Sequence, residues 1–233
     1  MASAESAENL KHEETLRAES LAIIDKSATL KEHFRVVHDA MNIIYGLTHD
    51  HPHRSDDELT LQMLGIRLFN ASAASIKLAL SGYYQIAFAQ LRDIVETYFL
   101  LDYFRTNKDK IAVWKVAGKR DLKEKFAPYV IRDALDKRDG FKEKMRGELY
   151  GRLSAYASHA TNHGFILTTK ENMGQPGPFV TEKLLTAWLE EMIKLLGHGA
   201  LVYAGHFEDV APNLETVKKE YFDMMKAWLA ELS

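Results

Sequence analysis

An arginine and a glutamate lie one helical turn apart in a strongly apolar stretch, LRDIVETYF. Their spacing of four places Arg92 and Glu96 on one face of a predicted helix, beside an apolar stripe that must be buried. A charge buried without a partner is costly, so each group is expected to pair with the other or with nearby groups. The pair is either an ion pair that fixes helix packing, or a general base and anion clamp in a low-dielectric cleft.

A second stretch, YGRLSAYASH, holds an arginine and a histidine seven residues apart. In a regular helix Arg152 and His159 share one face, roughly 10.5 Å apart along the axis, so both could contact one ligand but not each other. The alternative is that Glu148 pairs with Arg152 one turn away and that His159 only ends the helix. The candidate ligand-contacting groups around this pair are Tyr150, Ser154 and His163.

Histidines also cluster between two predicted helices, in the sequence HDHPHR. The candidate Zn²⁺ or Ni²⁺ ligands there are His49, His51, His53, Asp56 and Asp57. Alternate residues in a proline-containing loop rarely converge on one ion, so a solvated loop is the preferred interpretation and no metal site is predicted.

His198 and His206 are interpreted as hydrogen-bonded core histidines. No phosphate-binding loop, dinucleotide-binding motif or HExxH motif occurs, and no cofactor is predicted.

The composition excludes several classes of protein. The chain has 233 residues, of which 46% are hydrophobic and 27% charged, with a formal net charge of −3, so it is not a disordered acidic chain. Cysteine is absent, which excludes disulfides, thiolate nucleophiles and cysteine-based zinc sites. The balanced charge disfavours a general DNA-binding protein. The polar N-terminus and the short apolar runs predict a cytoplasmic protein without a membrane span.

Helix-forming residues dominate, and period-2 alternation is almost missing, which predicts an all-α fold. We expect a single-domain bundle of about seven or eight helices over residues 1–233. The predicted helices cover about 8–47 with a break near 27–29, 55–80 behind a Ser55–Glu58 capping box, 83–105, 107–114, 128–136, 141–159, 182–207 behind Thr181, and 213–233 behind Asn213. Residues 1–7 are expected to be disordered.

One long loop, 162–180, separates two of these helices and contains three glycines and two prolines. A short strand or hairpin is expected within it, around 165–169. Loops of this length in a compact domain are often functional. The last helix carries an apolar face with Met224 and Trp228, more than one monomer core needs, which predicts a homodimer.

The stretches LRDIVETYFLLDYF and YGRLSAYASHATNHG together resemble a bacterial helical family of unknown function that is related to the HEPN superfamily. In that family a helix with an Arg-x-x-x-Glu pattern precedes a Leu-Ser-containing helix that ends in His. The spacing from Arg152 to His159 also fits the HEPN ribonuclease pattern of Arg and His separated by four to six residues. The resemblance covers about residues 60–165. It departs from the active nucleases at Leu153, where those enzymes have a polar residue.

The resemblance implies a dimeric bundle whose motif lines an intersubunit cleft, and metal-independent RNA cleavage. His159 would act as general acid and base near neutral pH, and Arg152 would stabilise the developing phosphate charge. Glu96 would orient or neutralise a partner, and Arg92 would contact substrate. The implied setting is defence or toxin–antitoxin biology, with RNA and an antitoxin or regulatory protein as partners.

Two other functions remain open at this point. The chain could be a non-catalytic helical scaffold or regulatory module, or a metal- or small-molecule-binding enzyme that uses its histidines. A specific geometry separates them from the nuclease. We expect Arg92, Glu96, Arg152 and His159 to meet in one cleft next to the 162–180 loop if the nuclease interpretation is right.

Overall fold

The computed structural model describes residues 2–231, with side chains from 12 to 230. The described chain folds into these α-helices: α1 Ala2–Lys26, α2 Ala28–His49, α3 Asp56–Leu80, α4 Tyr84–Thr106, α5 Asp109–Lys115, α6 Lys119–Lys125, α7 Pro128–Arg138, α8 Met145–Leu153, α9 Glu182–Ala204 and α10 Pro212–Glu231. The all-α class is therefore confirmed. The expectation that residues 1–7 are disordered concerns Met1, which lies outside the described residues, and residues 2–7, whose side chains are not described.

The number of helices differs from the expectation of seven or eight, because residues 2–231 contain ten. One extra helix comes from Ser27, which adopts an extended backbone and accepts a hydrogen bond from the Leu30 amide, so α2 starts as a new helix. Another is α6, for which no helix was predicted, whereas the predicted helix 107–114 corresponds to α5. Asn107 lies before α5, and its side-chain amide donates to the Tyr103 carbonyl at the end of α4.

The core lies between four long helices, α2, α3, α4 and α9, which pack side by side. Trp188 on α9 is fully buried among them, and its indole N–H donates to the Ser75 hydroxyl on α3 at 2.9 Å. That hydroxyl donates in turn to the Ala87 carbonyl on α4 at 2.9 Å. Three helices are thus joined by one satisfied polar chain inside an apolar core.

The shorter helices α5, α7 and α8 pack against α4, and α6 packs against α7. Arg146 on α8 is nearly buried and donates to Asp136 on α7 at 2.8 Å. Asp102 on α4 is held by Arg138 at the end of α7. These ion pairs fix α7 and α8 on α4, the helix that carries Arg92 and Glu96.

The 162–180 loop has more regular structure than a plain loop. A 3₁₀ helix, Asn162–Thr168, occupies most of the stretch in which a strand was expected, and the antiparallel hairpin of β1 Thr169–Lys170 and β2 Met173–Gly174 follows it. The hairpin confirms the coarser expectation of a short strand or hairpin in this loop. The turn between its strands uses two residues with positive φ, Glu171 and Asn172.

The helix α3 is the only described helix long and apolar enough to cross a membrane by length and mean hydropathy. In this fold it is a core helix, because 44% of that stretch is buried inside the bundle. A buried core helix passes the same criterion as a membrane span, so the finding is weak evidence for either. The expectation of no membrane span stays a prediction.

Candidate functional site

Tyr150 on α8 joins Arg92 and Glu96 on α4 into one polar network. Its hydroxyl donates to the Glu96 carboxylate at 2.6 Å and accepts from the Arg92 guanidinium, with the Nε contact at 2.8 Å. Arg92 and Glu96 also form a direct ion pair at 3.2 Å. Each group of the predicted pair therefore has a partner, as the cost of burying a lone charge requires. Tyr150, predicted to contact substrate, binds two residues of its own chain.

A second guanidinium lies against the same tyrosine. The Arg132 Cζ atom of α7 lies 4.0 Å from the centre of the Tyr150 ring, and the Arg92 Cζ atom lies 4.9 Å from it. Cations over an aromatic face are attracted by the ring quadrupole. Burial, with the hydrogen bond to Glu96, raises the pKa of the Tyr150 hydroxyl. The network therefore holds a neutral phenol between three helices, α4, α7 and α8.

Arg152 lies in a different environment, at a cavity of about 260 Å³ between α8, the 3₁₀ helix and α9. The residues that line this Arg152 cavity include Phe88, Leu149, Tyr156, Ile166, Leu184 and, from α9, Lys183. Within the part of the chain that is described, neither Arg152 nor Lys183 forms an ion pair or a side-chain hydrogen bond. Glu191 also lines the cavity, and it pairs with Lys194. Two cations therefore remain available beside an apolar cavity.

The chain between Arg152 and His159 is not a regular α-helix. α8 ends at Leu153, and a π-helical turn, Ser154–Ser158, follows it. The His159 amide donates to the Ser154 carbonyl at 2.8 Å, five residues back. Single π turns inside helices are frequent at functional sites. The spacing of roughly 10.5 Å expected for a regular helix does not apply to this pair.

The π turn separates the predicted ligand-contacting residues. Ser154 is buried and its hydroxyl has no hydrogen-bond partner, so it does not offer a group at the surface. His159 and His163 are exposed. The His163 ring lies 6.0 Å from the ring of Tyr156, which also lines the Arg152 cavity. Arg152, Tyr156 and His163 therefore belong to one surface, which we call the Arg152 surface.

A glycine allows the 3₁₀ helix to approach the π turn. A Cβ atom at Gly164 would lie 2.7 Å from the Tyr156 carbonyl oxygen, closer than real Cβ atoms come. The Thr161 hydroxyl, just before the 3₁₀ helix, donates to the Ala155 carbonyl and so satisfies one backbone group of the widened turn. The start of the long loop is thereby fixed against the segment that carries His159.

The four residues expected in one cleft do not form one cluster within the described chain, so the geometry that we expected of a nuclease is not observed. Within the described residues, no hydrogen bond or ion pair links Arg152 or His159 to Arg92 or Glu96. The sequence patterns missed Arg132 and Lys183, which lie on other helices and carry no motif. One signal in the sequence could have indicated Tyr150. Arg92 and Glu96 each need a polar partner when buried, and the Tyr150 hydroxyl is a partner of both.

The histidines of the 49–53 loop have separate partners. His51 is buried, with its Nε2 3.1 Å from the Glu58 carboxylate and its ring against Phe207. His49 contacts the carboxylate of Asp50. No three histidine or carboxylate side chains among residues 12–230 are close enough to hold a metal ion.

His206, interpreted as a core histidine, is largely buried, and its Nε2 donates to the Leu101 carbonyl at 2.9 Å. That hydrogen bond confirms the interpretation. His198 contacts the Lys194 carbonyl of its own helix through Nδ1 at 2.8 Å. Both rings therefore have a backbone partner, but the contact of His198 is exposed, so the interpretation as a core histidine does not hold for His198.

The comparisons with known proteins leave the family of the chain open. The resemblance to HEPN proteins depends on residues 60–165 alone and stays a prediction. No protein-family model, no curated protein and no solved structure matches this chain.

Proposed function

We propose that this protein binds single-stranded RNA at the Arg152 surface. The observation that supports the proposal is the presence of two cations without acidic partners, Arg152 and Lys183, at an apolar cavity lined by an exposed tyrosine. Proteins that bind single-stranded RNA combine cations for the phosphates with aromatic rings on which bases stack. Arginine is well suited to this role because its planar guanidinium matches two phosphate oxygens.

Exposed aromatic and apolar side chains make this surface unusual for a monomer. Tyr156 is 41% exposed, Phe165 is 67% exposed, and Ile166, which follows Phe165, is 50% exposed. Singly exposed apolar residues need no explanation, but a cluster beside free cations indicates a binding surface. A nucleotide whose base stacks on Tyr156 would place its phosphate within reach of Arg152, which lies about one helical turn earlier in the chain.

The HEPN resemblance assigns catalysis to Arg152 on this surface and to His159, which follows it in the chain, although the cluster with Arg92 and Glu96 that we expected of a nuclease is not formed. In metal-independent RNA cleavage the 2′-hydroxyl attacks the adjacent phosphorus and the 5′-oxygen leaves. His159 would take the proton from the 2′-hydroxyl or give one to the leaving oxygen, and Arg152 would stabilise the charge on the phosphate. Glu96 takes no part in this proposal, because its carboxylate is bound by Tyr150 and Arg92.

Binding is tested by fluorescence anisotropy of a labelled single-stranded RNA in buffer with EDTA. We expect Arg152→Gln and Lys183→Gln each to weaken binding about tenfold, as loss of a charge-assisted phosphate contact predicts. The matched controls are Arg17→Gln on α1 and Lys31→Gln on α2, which are exposed cations outside this surface. Equal losses in the controls would mean that binding is only a general charge effect.

Cleavage is tested separately on the same RNA by gel electrophoresis. We expect His159→Asn to abolish cleavage while the affinity for RNA changes less than twofold. If the wild-type protein binds RNA without cutting it, the RNA-binding proposal remains and the ribonuclease proposal is wrong.

A second candidate function is a non-catalytic helical interaction module. The observation that favours it is the internal pairing of Arg92, Tyr150 and Glu96, which gives this network a structural role. Absence of saturable RNA binding to the wild-type protein would support this candidate over the first. The homodimer and the antitoxin or regulatory partner that the HEPN resemblance implies, and the cytoplasmic location expected from the polar N-terminus, remain part of the proposal.

The proposed homodimer has less support from α10 than the sequence indicated. Met224 and Trp228 pack partly buried against the core of their own chain. Val217 and Phe222 remain moderately exposed on this helix. Size-exclusion chromatography with light scattering measures the state directly, and a monomer at micromolar concentration would contradict the dimer.

A further inference from the structure

A second cavity lies between α3, α4, α5 and α7, and it shares no lining residue with the Arg152 cavity. Its volume is about 210 Å³, and mainly apolar side chains line it, among them Leu64, Phe99, Leu100 and Trp114. Drug-sized ligands occupy cavities of roughly 300–1,000 Å³. A cavity of this smaller size suits a molecule with one or two rings. We call it the Arg132 cavity after the cation in its wall.

Arg132 is the charged group of this cavity that lacks an acidic partner among the described residues. Arg67, also in the wall, pairs with Asp93, and Glu96 pairs with Arg92. The Nη1 atom of Arg132 is buried and has no hydrogen-bond partner. An unpaired buried N–H group is costly, and a charged group more so. Because Nη1 has no exposed surface, an anion in the cavity would bind the Nε or Nη2 side of the guanidinium, which has no hydrogen-bond partner among the described residues either.

The position of Arg132 is fixed before any ligand arrives. Its guanidinium lies 4.0 Å from the centre of the Tyr150 ring, and that ring is itself held by hydrogen bonds to Arg92 and Glu96. Stacking occupies a face of the guanidinium and leaves its N–H edges for hydrogen bonds. A fixed arginine loses little conformational entropy when it binds a carboxylate.

The surrounding surface is basic although the whole chain is acidic. Residues 105–125 contain eight lysines and arginines and three acidic residues, whereas the formal charge of the protein is −3. This segment forms α5 and α6, and it contributes Trp114 to the cavity wall, with Phe126 directly after it. A local excess of positive charge around a low-dielectric cavity attracts anions and raises their local concentration.

We propose that the Arg132 cavity binds a small organic anion, with one carboxylate at Arg132 and an apolar body of one or two rings against Phe99, Leu100 and Trp114. A ligand with an apolar body matches the apolar lining of the cavity. A single negative charge on that ligand matches Arg132, the charged group of the wall that lacks an acidic partner among the described residues. The site is separate from the Arg152 surface, and it does not depend on whether the protein binds RNA.

The test uses 2-naphthoate and its neutral counterpart 2-naphthamide as probes, titrated calorimetrically into the full-length protein. We expect the wild-type protein to bind the carboxylate about tenfold or more tightly than the amide, since a charge-assisted contact separates them. Arg132→Gln should reduce this preference to less than twofold. Arg152→Gln, which changes the cation of the other cavity, should leave it unchanged.

Any of four results would overturn the proposal. The first two are absence of saturable binding at millimolar 2-naphthoate and equal affinities of the wild-type protein for the two probes. The third is a preference for naphthoate that survives in Arg132→Gln. The fourth is a preference lost in Arg152→Gln, which would place the anion in the other cavity. If Arg132→Gln does not fold, as judged by circular dichroism, Arg132→Lys replaces it, and we expect it to weaken naphthoate binding without changing naphthamide binding.

Discussion

The Asp102 carboxylate accepts two parallel hydrogen bonds from the Arg138 guanidinium, at 3.0 and 2.9 Å. Asp102 is a buried residue of α4, and Arg138 lies at the end of α7. Arg138 also contacts Asp139, and its hydrogen bond holds the pKa of that carboxyl at about 2. Bidentate pairs of this kind fix both distance and orientation. The pair therefore sets where α7, and Arg132 on it, lies relative to α4.

We expect Asp102→Asn to lower the free energy of unfolding by about 2 kcal/mol, because it leaves Arg138 without its buried partner. The loss is below the 3–5 kcal/mol typical of a fully buried pair, because Arg138 keeps Asp139 and is partly exposed. Urea denaturation measures it. The control is Arg120→Gln, which removes an exposed pair with Glu124 on α6 and should change stability little. Similar effects of the two substitutions would contradict the structural role of the bidentate pair.

Tyr150→Phe removes the hydroxyl that joins Arg92 and Glu96 but keeps the ring under Arg132. We expect a loss of about 1–2 kcal/mol in the free energy of unfolding, the cost of leaving polar partners unsatisfied. A double-mutant cycle with Glu96→Gln should show a coupling of about 1 kcal/mol. Additive effects in that cycle would mean that the hydroxyl and the carboxylate do not interact in solution.

Two glycine-to-alanine substitutions within helices should change stability in opposite directions. A Cβ atom at Gly65 on α3 would lie 2.3 Å from the ring of Tyr203 on α9, so Gly65→Ala should cost about 1–3 kcal/mol through overpacking. A Cβ atom at Gly151 on α8 meets no atom within 4 Å. Gly151→Ala should therefore stabilise the protein by about 0.5–1 kcal/mol through helix propensity. Thermal melts compare the two variants. Destabilisation by Gly151→Ala would contradict the finding that a Cβ atom at this position has free space around it.

Acid should destabilise the fold through His206. Burial lowers the pKa of this histidine from 6.5 to about 4, so the unfolded chain binds a proton in that interval and the folded chain does not. Stability therefore falls as the pH falls from 6.5 to 4, by about 2–3 kcal/mol from this group. His206→Gln keeps a donor for the Leu101 carbonyl and removes the titration. Unfolding free energies across this pH range should be less steep for the variant, and identical slopes would contradict the prediction.

Helix starts could be predicted from the sequence where one side chain caps its own helix. The Ser55 hydroxyl accepts from the Glu58 amide at 3.1 Å, as the capping box requires. The return contact differs, because the Glu58 carboxylate accepts from the Arg54 amide rather than from Ser55. Thr181 accepts from the Leu184 amide as predicted. Such contacts span three or four residues, so local patterns contain them.

The candidate site was less predictable because its geometry depends on contacts between distant parts of the chain. Periodicity indicated that Arg92 and Glu96 lie together, and the structure confirms this. It could not indicate that Tyr150, more than fifty residues later, would bind both of them. The pattern also assumed a regular helix through residue 159, and a π turn is set by packing rather than by residue type.

The π turn means that the sequence spacing of Arg152 and His159 does not by itself fix their arrangement. A turn closed by a hydrogen bond five residues back holds one residue more than an α-helical turn. If one residue within 154–158 were deleted, an α-helical turn could replace the π turn, and the chain after it would leave α8 in nearly the same direction. A relative with the arginine and the histidine one residue closer in sequence could therefore present its histidine much as this chain does. The type of turn, as well as the spacing in sequence, determines how the two side chains are placed.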